Sequence, residues 1–437
     1  MAKSARPWTG PAAAAIIALA LIAVAWGQSG SVALSILNLC LISSIMALGV
    51  NIQWGYAGLF NVGTMGFAAL GGVAAVLVAQ PPVPEAWAAG GAGLGLSLLA
   101  ALATVGAVVA VRARLRRGRN AASAALVAIG YALVRMAYDP ATDAIEAVNP
   151  AQTGYLGGLG LPIMLGWAAG GVLAGSAAWV VGRISLGLRS DYLAIATLGI
   201  SEIIIAIVKN EDWLVRGVKN VSGLPRPVPY EIDLQQAPWF LDLAGSLGLD
   251  PATASSLYVK GCYALLFAAV LLALVWLSER ALRSPWGRMM RAIRDNEVSA
   301  AAMGKDVTRR HLEVFVLGSA VVGIAGAMLT TLDGQFTPGA YNPLRFTFLI
   351  WVMVIVGGSG NTWGSVLGGF VVWFLWIEAE PAGLWLMGGV SDLLPDGSVV
   401  AAHLMDGAPH MRMIFMGVML LAVLRLAPKG VLPERER

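Results

Sequence analysis

The sequence predicts an all-α, polytopic membrane protein of about ten to twelve transmembrane helices, some short or broken, on three observations. Of the 437 residues, 58% are hydrophobic and 12% charged, against roughly 45–50% and about 25% in a soluble domain. Mean hydropathy is +0.74. The apolar residues form long runs, with Lys and Arg gathered in short segments between them, as in a chain that crosses a bilayer repeatedly. A cytosolic enzyme, a disordered chain and a disulfide scaffold are excluded. Cys40 and Cys262 lie inside apolar runs and read as small apolar helix residues. A net charge of +4 would suit nucleic acid, but basic residues split between apolar runs do not share one face, so no nucleic-acid partner is expected.

A spanning helix needs about 20 mostly apolar residues, because the hydrocarbon core is about 30 Å thick and the helix rises 1.5 Å per residue. In chain order this is met near 10–26, 32–50, 58–79, 90–111, 121–138, 163–181, 191–208, 257–277, 312–333, 346–360, 364–378 and 412–427. The segments 346–360 and 364–378 are short and glycine-interrupted, as broken or re-entrant helices are, which brings the count toward ten. Lys3 and Arg6, the apolar run and Ala23-Val24-Ala25 also fit a signal peptide with its cleavage site. A retained first helix is the favoured reading, and the remaining topology is the same either way.

Orientation follows from the Lys/Arg bias of the loops. Arg112, Arg114, Arg116, Arg117 and Arg119 mark one cytoplasmic turn, and Arg280, Arg283, Arg288, Arg291, Arg294, Lys305, Arg309 and Arg310 mark a cytoplasmic loop. Loops 80–90, 139–162 and 379–411 contain no Lys or Arg, and the last two hold Asp139, Asp143, Glu146, Glu380, Asp392, Asp396 and Asp406, so they belong outside. Loop 209–256 is placed outside despite Lys209, Arg216, Lys219 and Arg226. Lys3 and Arg6 at one end, and Arg425, Lys429, Arg435 and Arg437 at the other, put both termini in the cytoplasm.

Catalytic, cofactor and metal chemistry have no visible carrier. No GxxxxGK[ST] loop occurs, Gly304-Lys305 being followed by Asp306. His311, His403 and His410 lack metal-ligand spacing, and no GxSxG or Cys/His constellation is present. Gly357-Gly358-Ser359-Gly360 lacks the dinucleotide-loop spacing and reads as a tight turn between membrane segments.

The most informative stretch is 279–310, ERALRSPWGRMMRAIRDNEVSAAAMGKDVTRR, charged in a chain that otherwise avoids charge. Pro285 fits a first helical turn; Trp286, Met289, Met290 and Ile293 recur at helical spacing, and Arg288, Arg291 and Arg294 form the opposite face. Asp295 or Asn296 then caps a second helix over 297–303, with Glu297 at its positive end and Gly304 supplying the left-handed residue that ends it. From the residues alone two readings stand: a compact helix–turn–helix held at the cytoplasmic face, or an amphipathic loop with its arginines on lipid headgroups.

These residues and their continuation, SPWGRMMRAIRDNEVSAAAMGKDVTRRHLEVFVLGSAVVGIAGAM, resemble the coupling loop and following helix of LivM-type permeases, membrane subunits of branched-chain amino acid ABC transporters. LRSDYLAIATLGISEII at 188–204 resembles the family's DYLAI-TLG-EI segment, NVSGLPRP at 220–227 its external loop, and GYAGLFNVGTMGF at 55–67 its glycine-rich motif. VMVIVGGSGNTWGSVLGG at 352–369 and APKGVL at 427–432 resemble its GG-x-G-x-x-WG turn and P-x-G tail. The resemblance covers roughly 32–79 and 163–432, departing at Leu59 and Thr64, where the family usually has Gln and His. It divides the chain into an N-terminal membrane helix (1–31), a first part of the permease core (32–84), an extra helical hairpin (85–162), permease core with an external loop (163–278), a coupling loop (279–311) and a C-terminal core (312–437).

What the resemblance implies is an inner-membrane importer subunit without its own nucleotide, ATP and Mg being held by partners. Those partners are two ABC ATPase subunits, a second homologous permease and an external substrate-binding protein, with membrane lipid around them. Glu297, Ala300 and Gly304 would sit at the coupling turn, and Arg288, Arg291 and Arg294 would meet the ATPase or remain a solvated or lipid-facing stripe. Glu202, a carboxylate within a span, is a pathway candidate by its cost alone. The clusters Gly55, Gly58, Asn61, Gly63, Gly66 and Gly357, Gly358, Gly360, Gly364, Gly368 would open helix ends toward a midplane substrate or allow close helix packing. The alternatives are a urea, short-amide or other small-solute permease of the same architecture, and a gradient-driven secondary transporter. The latter calls for several paired intramembrane charges, where this sequence offers essentially Glu202.

Overall fold

The structure is a computed structural model that describes residues 9–114, 118–394 and 399–434. Lys3, Arg6, Arg116, Arg117, Asp396, Arg435 and Arg437, used above for orientation, lie outside the described residues. Helix α1 covers Thr9–Gly27 and α2 Gly30–Ala57. Ser29 caps α2 by accepting from the Val32 N–H at 3.1 Å, and Gly58 ends it at φ 72°, where its own N–H returns to the Gln53 and Trp54 carbonyls. Then come α3 (Thr64–Ala79), the antiparallel pair α4 (Ala92–Arg114) and α5 (Arg119–Glu146), α6 (Ile163–Ser185), α7 (Ser190–Asn210) and α8 (Pro251–Arg283). The charged loop forms α9 (Pro285–Asp295) and α10 (Glu297–Ala302). The chain finishes with α11 (Val307–Asp333), α12 (Pro343–Gly357), α13 (Thr362–Ser391), α14 (Val399–Gly407) and α15 (Met411–Leu426).

Among the described residues, ten helices are long and apolar enough to cross a membrane, and Thr64–Ala79 and Pro343–Gly357 are shorter apolar helices. The all-α polytopic class stands, while the identity of the short segments needs correcting. The expected span at 58–79 begins only at Thr64, because 58–63 is held as a non-helical link by side-chain hydrogen bonds. Its 16 residues rise about 24 Å, less than the hydrocarbon thickness. The expected short span 364–378 is instead the start of the 30-residue α13, which continues through Pro381. The 379–411 loop is therefore largely helical. Two carboxylates at its start have partners: Arg412 donates to Glu380, and Gln28 Nε2 to Glu378 Oε2 at 2.8 Å. Loop 209–256 likewise contains short helices at Glu231–Gln236 and Pro238–Ser246. It also supplies strand β1 (Val221–Ser222), antiparallel to β2 (Gln335–Phe336) with Val221 opposite Phe336.

The centre is built from α2, α3, α6 and α11, with α13 and α8 on the outer side of α2. Glycines set the spacing: a Cβ on Gly71 would overlap the Gly323 carbonyl, and one on Gly326 the Ala68 carbonyl, so α11 meets α3 backbone to backbone. Alternation of the helices gives two faces. One carries the β pair, the Pro82–Gly157 bridge and the Lys260–Ser31 hydrogen bond. The other, basic face carries the 58–63 link, α9 and α10, the 358–361 turn and the tail 427–434, with Gly10 of α1 against Leu432 of that tail.

Candidate functional site

The charged loop folds as its residues dictate. Ser284 caps α9 with Pro285 in the first turn, Asn296 caps α10 by accepting from the Ser299 N–H at 2.9 Å, and Gly304 turns the chain at φ +78° with open space around its Cα. Gly287, Met290 and Ile293 are buried beneath α9, while Trp286 donates to Glu313 at 3.1 Å. At the tip, Glu297 is exposed and Ala300 buried, so the small Ala300 serves packing within the chain. The groups presented outward are Val298 and Met303, each 79% exposed, with Ala301 and Ala302.

The three arginines do not form one solvated face, which corrects the expectation. Arg288 is exposed, Arg291 is half-buried near the Leu282 carbonyl, and Arg294 turns inward with 23% of its side chain exposed. Arg294 follows the buried Ile293 and reaches two groups distant in the chain besides its exposed neighbour Asp295, 3.3 Å from its Nε. Its guanidinium donates to the Gly55 carbonyl at 2.5 Å and pairs with the Glu434 carboxylate at 2.9 Å. Gly55 lies in the last turn of α2, where carbonyls lack helical partners and the helix dipole favours a cation.

Around this contact the two glycine-rich motifs and the tail come together. Asn51 accepts from the Gly360 N–H at 2.9 Å and donates to the Asn361 carbonyl at 3.2 Å, and Tyr56 shares a 2.7 Å hydrogen bond with Thr362. Asn361 accepts from the Trp363 and Gly364 amides and donates to the Pro433 carbonyl at 3.2 Å. The tail amides of Val431 and Leu432 bond the Val356 and Gly357 carbonyls, both at 2.9 Å. The 58–63 link is held by Asn61, 1% exposed, which donates to Gln53 at 2.8 Å and accepts from the Gly63 N–H at 2.8 Å. Gln53 in turn donates to the Phe315 carbonyl and Ser319 hydroxyl of α11. Thr197 and Ser201 of α7 accept from the Val62 and Gly66 amides, and Trp351 of α12 donates to the Asn61 carbonyl. These contacts pair no nucleophile with a base. What the junction can do is carry displacement between the charged loop and the helix breaks.

The structure therefore brings together Arg294, Gly55, Gly58, Asn61, Gly63, Gly357, Gly358, Gly360 and Gly364. The glycines mostly face backbone or side chains of neighbouring segments. A Cβ would lie 2.6 Å from the Gly360 N at Gly55, 2.5 Å from the Thr197 carbonyl at Gly63, 2.8 Å from the Gly357 carbonyl at Gly364, and would overlap the Gly364 carbonyl at Gly357. Gly58 is exposed at φ +72°, where an added Cβ would lie 3.5 Å from the Arg294 side chain. Glu202 stands apart, exposed beside Ile203 and one turn from Gly199, which has nothing within 4 Å of an added Cβ. Thr197 and Ser201 point from the same helix into the junction. Sequence reasoning missed Asn51, Gln53, Tyr56, Thr197, Ser201, Ser319 and Glu434. The available signal was the spacing of Asn51 and Gln53 in an otherwise apolar helix, since buried amides in a bilayer demand partners.

A family profile described as the permease component of the branched-chain amino acid transport system matches residues 117–424. The LivM permease protein of the high-affinity branched-chain amino acid transport system of Escherichia coli (strain K12) is 26% identical over 297 residues, covering 66% of this chain and 61% of that protein. The match thus spans about three fifths of that relative's length. A probable LivM permease of Methanocaldococcus jannaschii is 26% identical over 268 residues, covering 60% and 67%. The xylose transport permease XylH of Escherichia coli (strain K12) is 26% identical over 232 residues, covering 52% and 46%. No solved structure matches the chain.

Proposed function

Since the chain belongs to the family of branched-chain amino acid transport permeases, matched over 117–424, we propose that it is the membrane-spanning subunit of an ABC importer for branched-chain or related amino acids. It is a multi-pass membrane protein with ten helices able to span among the described residues, and inner-membrane location goes with the family. In this reading the basic face is cytoplasmic, both chain ends included, because Lys and Arg collect there. Two ATPase subunits hold ATP and Mg, a second homologous permease completes the translocation unit, and an external binding protein delivers substrate. The chain contributes no ATPase site of its own.

The observation that carries this reading is the α9–α10 element. It presents Val298 and Met303 outward while α9 holds Arg294 against the Gly55 carbonyl of α2. An ATPase seated on the tip would move α9, and through it the α2 end and the 58–63 link. Glu202 supports a pathway or permease–permease face on α7, because an exposed carboxylate on an apolar helix calls for water or a polar partner. Gly199 beside it leaves room for close approach.

The test is purification in mild detergent from the native host, identification of the companion subunits, and reconstitution. ATP-dependent uptake of leucine, isoleucine or valine by a complex containing a nucleotide-binding subunit is the expected result. ATP-independent, gradient-driven uptake by the chain alone would overturn it. Similarity to the xylose permease over 52% of the chain makes a sugar the second substrate class, so xylose uptake is measured alongside.

A further inference from the structure

We propose that Arg294 and Glu434 form a latch that makes the C-terminal tail a working part of the coupling device, with Arg294 a positioning residue rather than an ATPase contact. This rests on the permease reading above and adds to it the path by which loop motion reaches the helix breaks.

Four observations converge on it. Arg294 is mostly buried, whereas Arg288 six residues earlier is exposed. One guanidinium holds both the last turn of α2, through the Gly55 carbonyl, and the tail, through Glu434 at 2.9 Å. The tail is fastened to α12 and α13 independently of Arg294, by the Val431 and Leu432 amides and by the Asn361 side chain on the Pro433 carbonyl. Finally, the surfaces in between admit no side chain. A Cβ at Gly360 would lie 2.7 Å from Glu434 Oε2 and 3.1 Å from Arg294 Nη1, and Cβ atoms at Gly358 or Gly430 would run into the facing backbone.

Gly358, Gly360 and Gly430 all have φ between 79° and 114°, conformations that favour glycine on their own account, so close approach and backbone geometry demand the same residue. A planar guanidinium is suited to this place because it donates in two directions from one rigid group, whereas an ammonium is a single point charge. A displacement of α9 therefore pulls on α2 and on the tail together. Through the tail it pulls on the 358–361 turn, and Asn51 ties that turn back to α2.

Two measurements on the purified complex test the latch. Glu434→Gln leaves the α10 tip untouched, so a role in docking alone would not respond to it. Substrate taken up per ATP hydrolysed is expected to fall at least about fivefold, the low end of an ordinary coupling free energy, with assembly and ATP hydrolysis retained. Arg294→Ala should fall further, and the double variant no further than Arg294→Ala, because both act through one contact. Wild-type uptake per ATP in Glu434→Gln, or additive losses in the double variant, would overturn the latch. The second measurement does not depend on transport. Spin labels at the exposed Ser299 and Ser359 should give a broader distance distribution in Glu434→Gln than in the unaltered chain. An unchanged distribution refutes the latch even if the complex transports, while absence of ATP-dependent uptake in the unaltered chain refutes the permease reading instead.

Discussion

Helices α2 and α4 are both strongly apolar, yet 72% of the α2 spanning window is buried inside the protein against 6% for the window containing α4. Hydropathy separates membrane from water, not the centre of a membrane protein from its rim. What separates these two helices is where their polar groups go. In α2, Asn38 donates to the Lys260 carbonyl, Ser44 to Val366, Asn51 to Asn361 and Gln53 to Phe315, four bonds to other parts of the chain. In α4, Ser97 and Thr104 bond the Leu94 and Ala100 carbonyls of their own helix. A lipid-facing helix must satisfy itself, whereas a central one can use polar side chains as ties.

The sharpest way to break this comparison is with matched glycine substitutions. Gly357→Ala drives a methyl into the Gly364 carbonyl, whereas Gly106 on α4 has nothing within 4 Å. The first should cost about 3 kcal/mol or more by overpacking and lower both the yield and the melting temperature of detergent-purified protein. The second should stay within about 0.5 kcal/mol. Polar truncations come next. Gln53→Leu strands the buried Asn61 amide and a Ser319 hydroxyl and should cost about 2 kcal/mol, read as a lower melting temperature, while Ser97→Ala leaves it unchanged.

Gly304→Val places a branched side chain at φ +78°, a local strain of about 1–2 kcal/mol. Uptake should fall while the amount of protein in the membrane is maintained; normal uptake would remove this turn from the coupling element. Glu202→Gln has the smallest expected effect on stability, because its side chain is exposed. It should change uptake severalfold with an unaltered melting temperature, and a loss of folded protein instead would make Glu202 structural.

Much of this architecture was legible in the sequence. The membrane segments were visible because each must be continuously apolar, and the α9–α10 geometry because Pro285, Asn296 and Gly304 act locally. The direction of Arg294 was not legible: it shares a stripe with Arg288 and Arg291, and its inward turn is decided by a carbonyl 239 residues away in the chain. The late start of α3 was hidden for the same reason, since 58–63 is apolar enough to continue a helix and is held open by Asn61 within it and by Thr197 of α7 from elsewhere. The continuation of α13 past 378 was masked by Glu378, Glu380 and Pro381, which read as a loop until Gln28 and Arg412 are found opposite the charges.

The most direct test of the central claim compares the α10 tip with the lipid-facing rim by site-specific photocrosslinking in native membranes. A photoreactive residue at Val298 or Met303, both 79% exposed, should capture a nucleotide-binding subunit, whereas one at Leu102 on α4 should give no protein adduct. Adducts that change with ATP would show the tip moving with its partner. Absence of any nucleotide-binding subunit at Val298 and Met303, in membranes where ATP-dependent uptake is measured, would contradict the account.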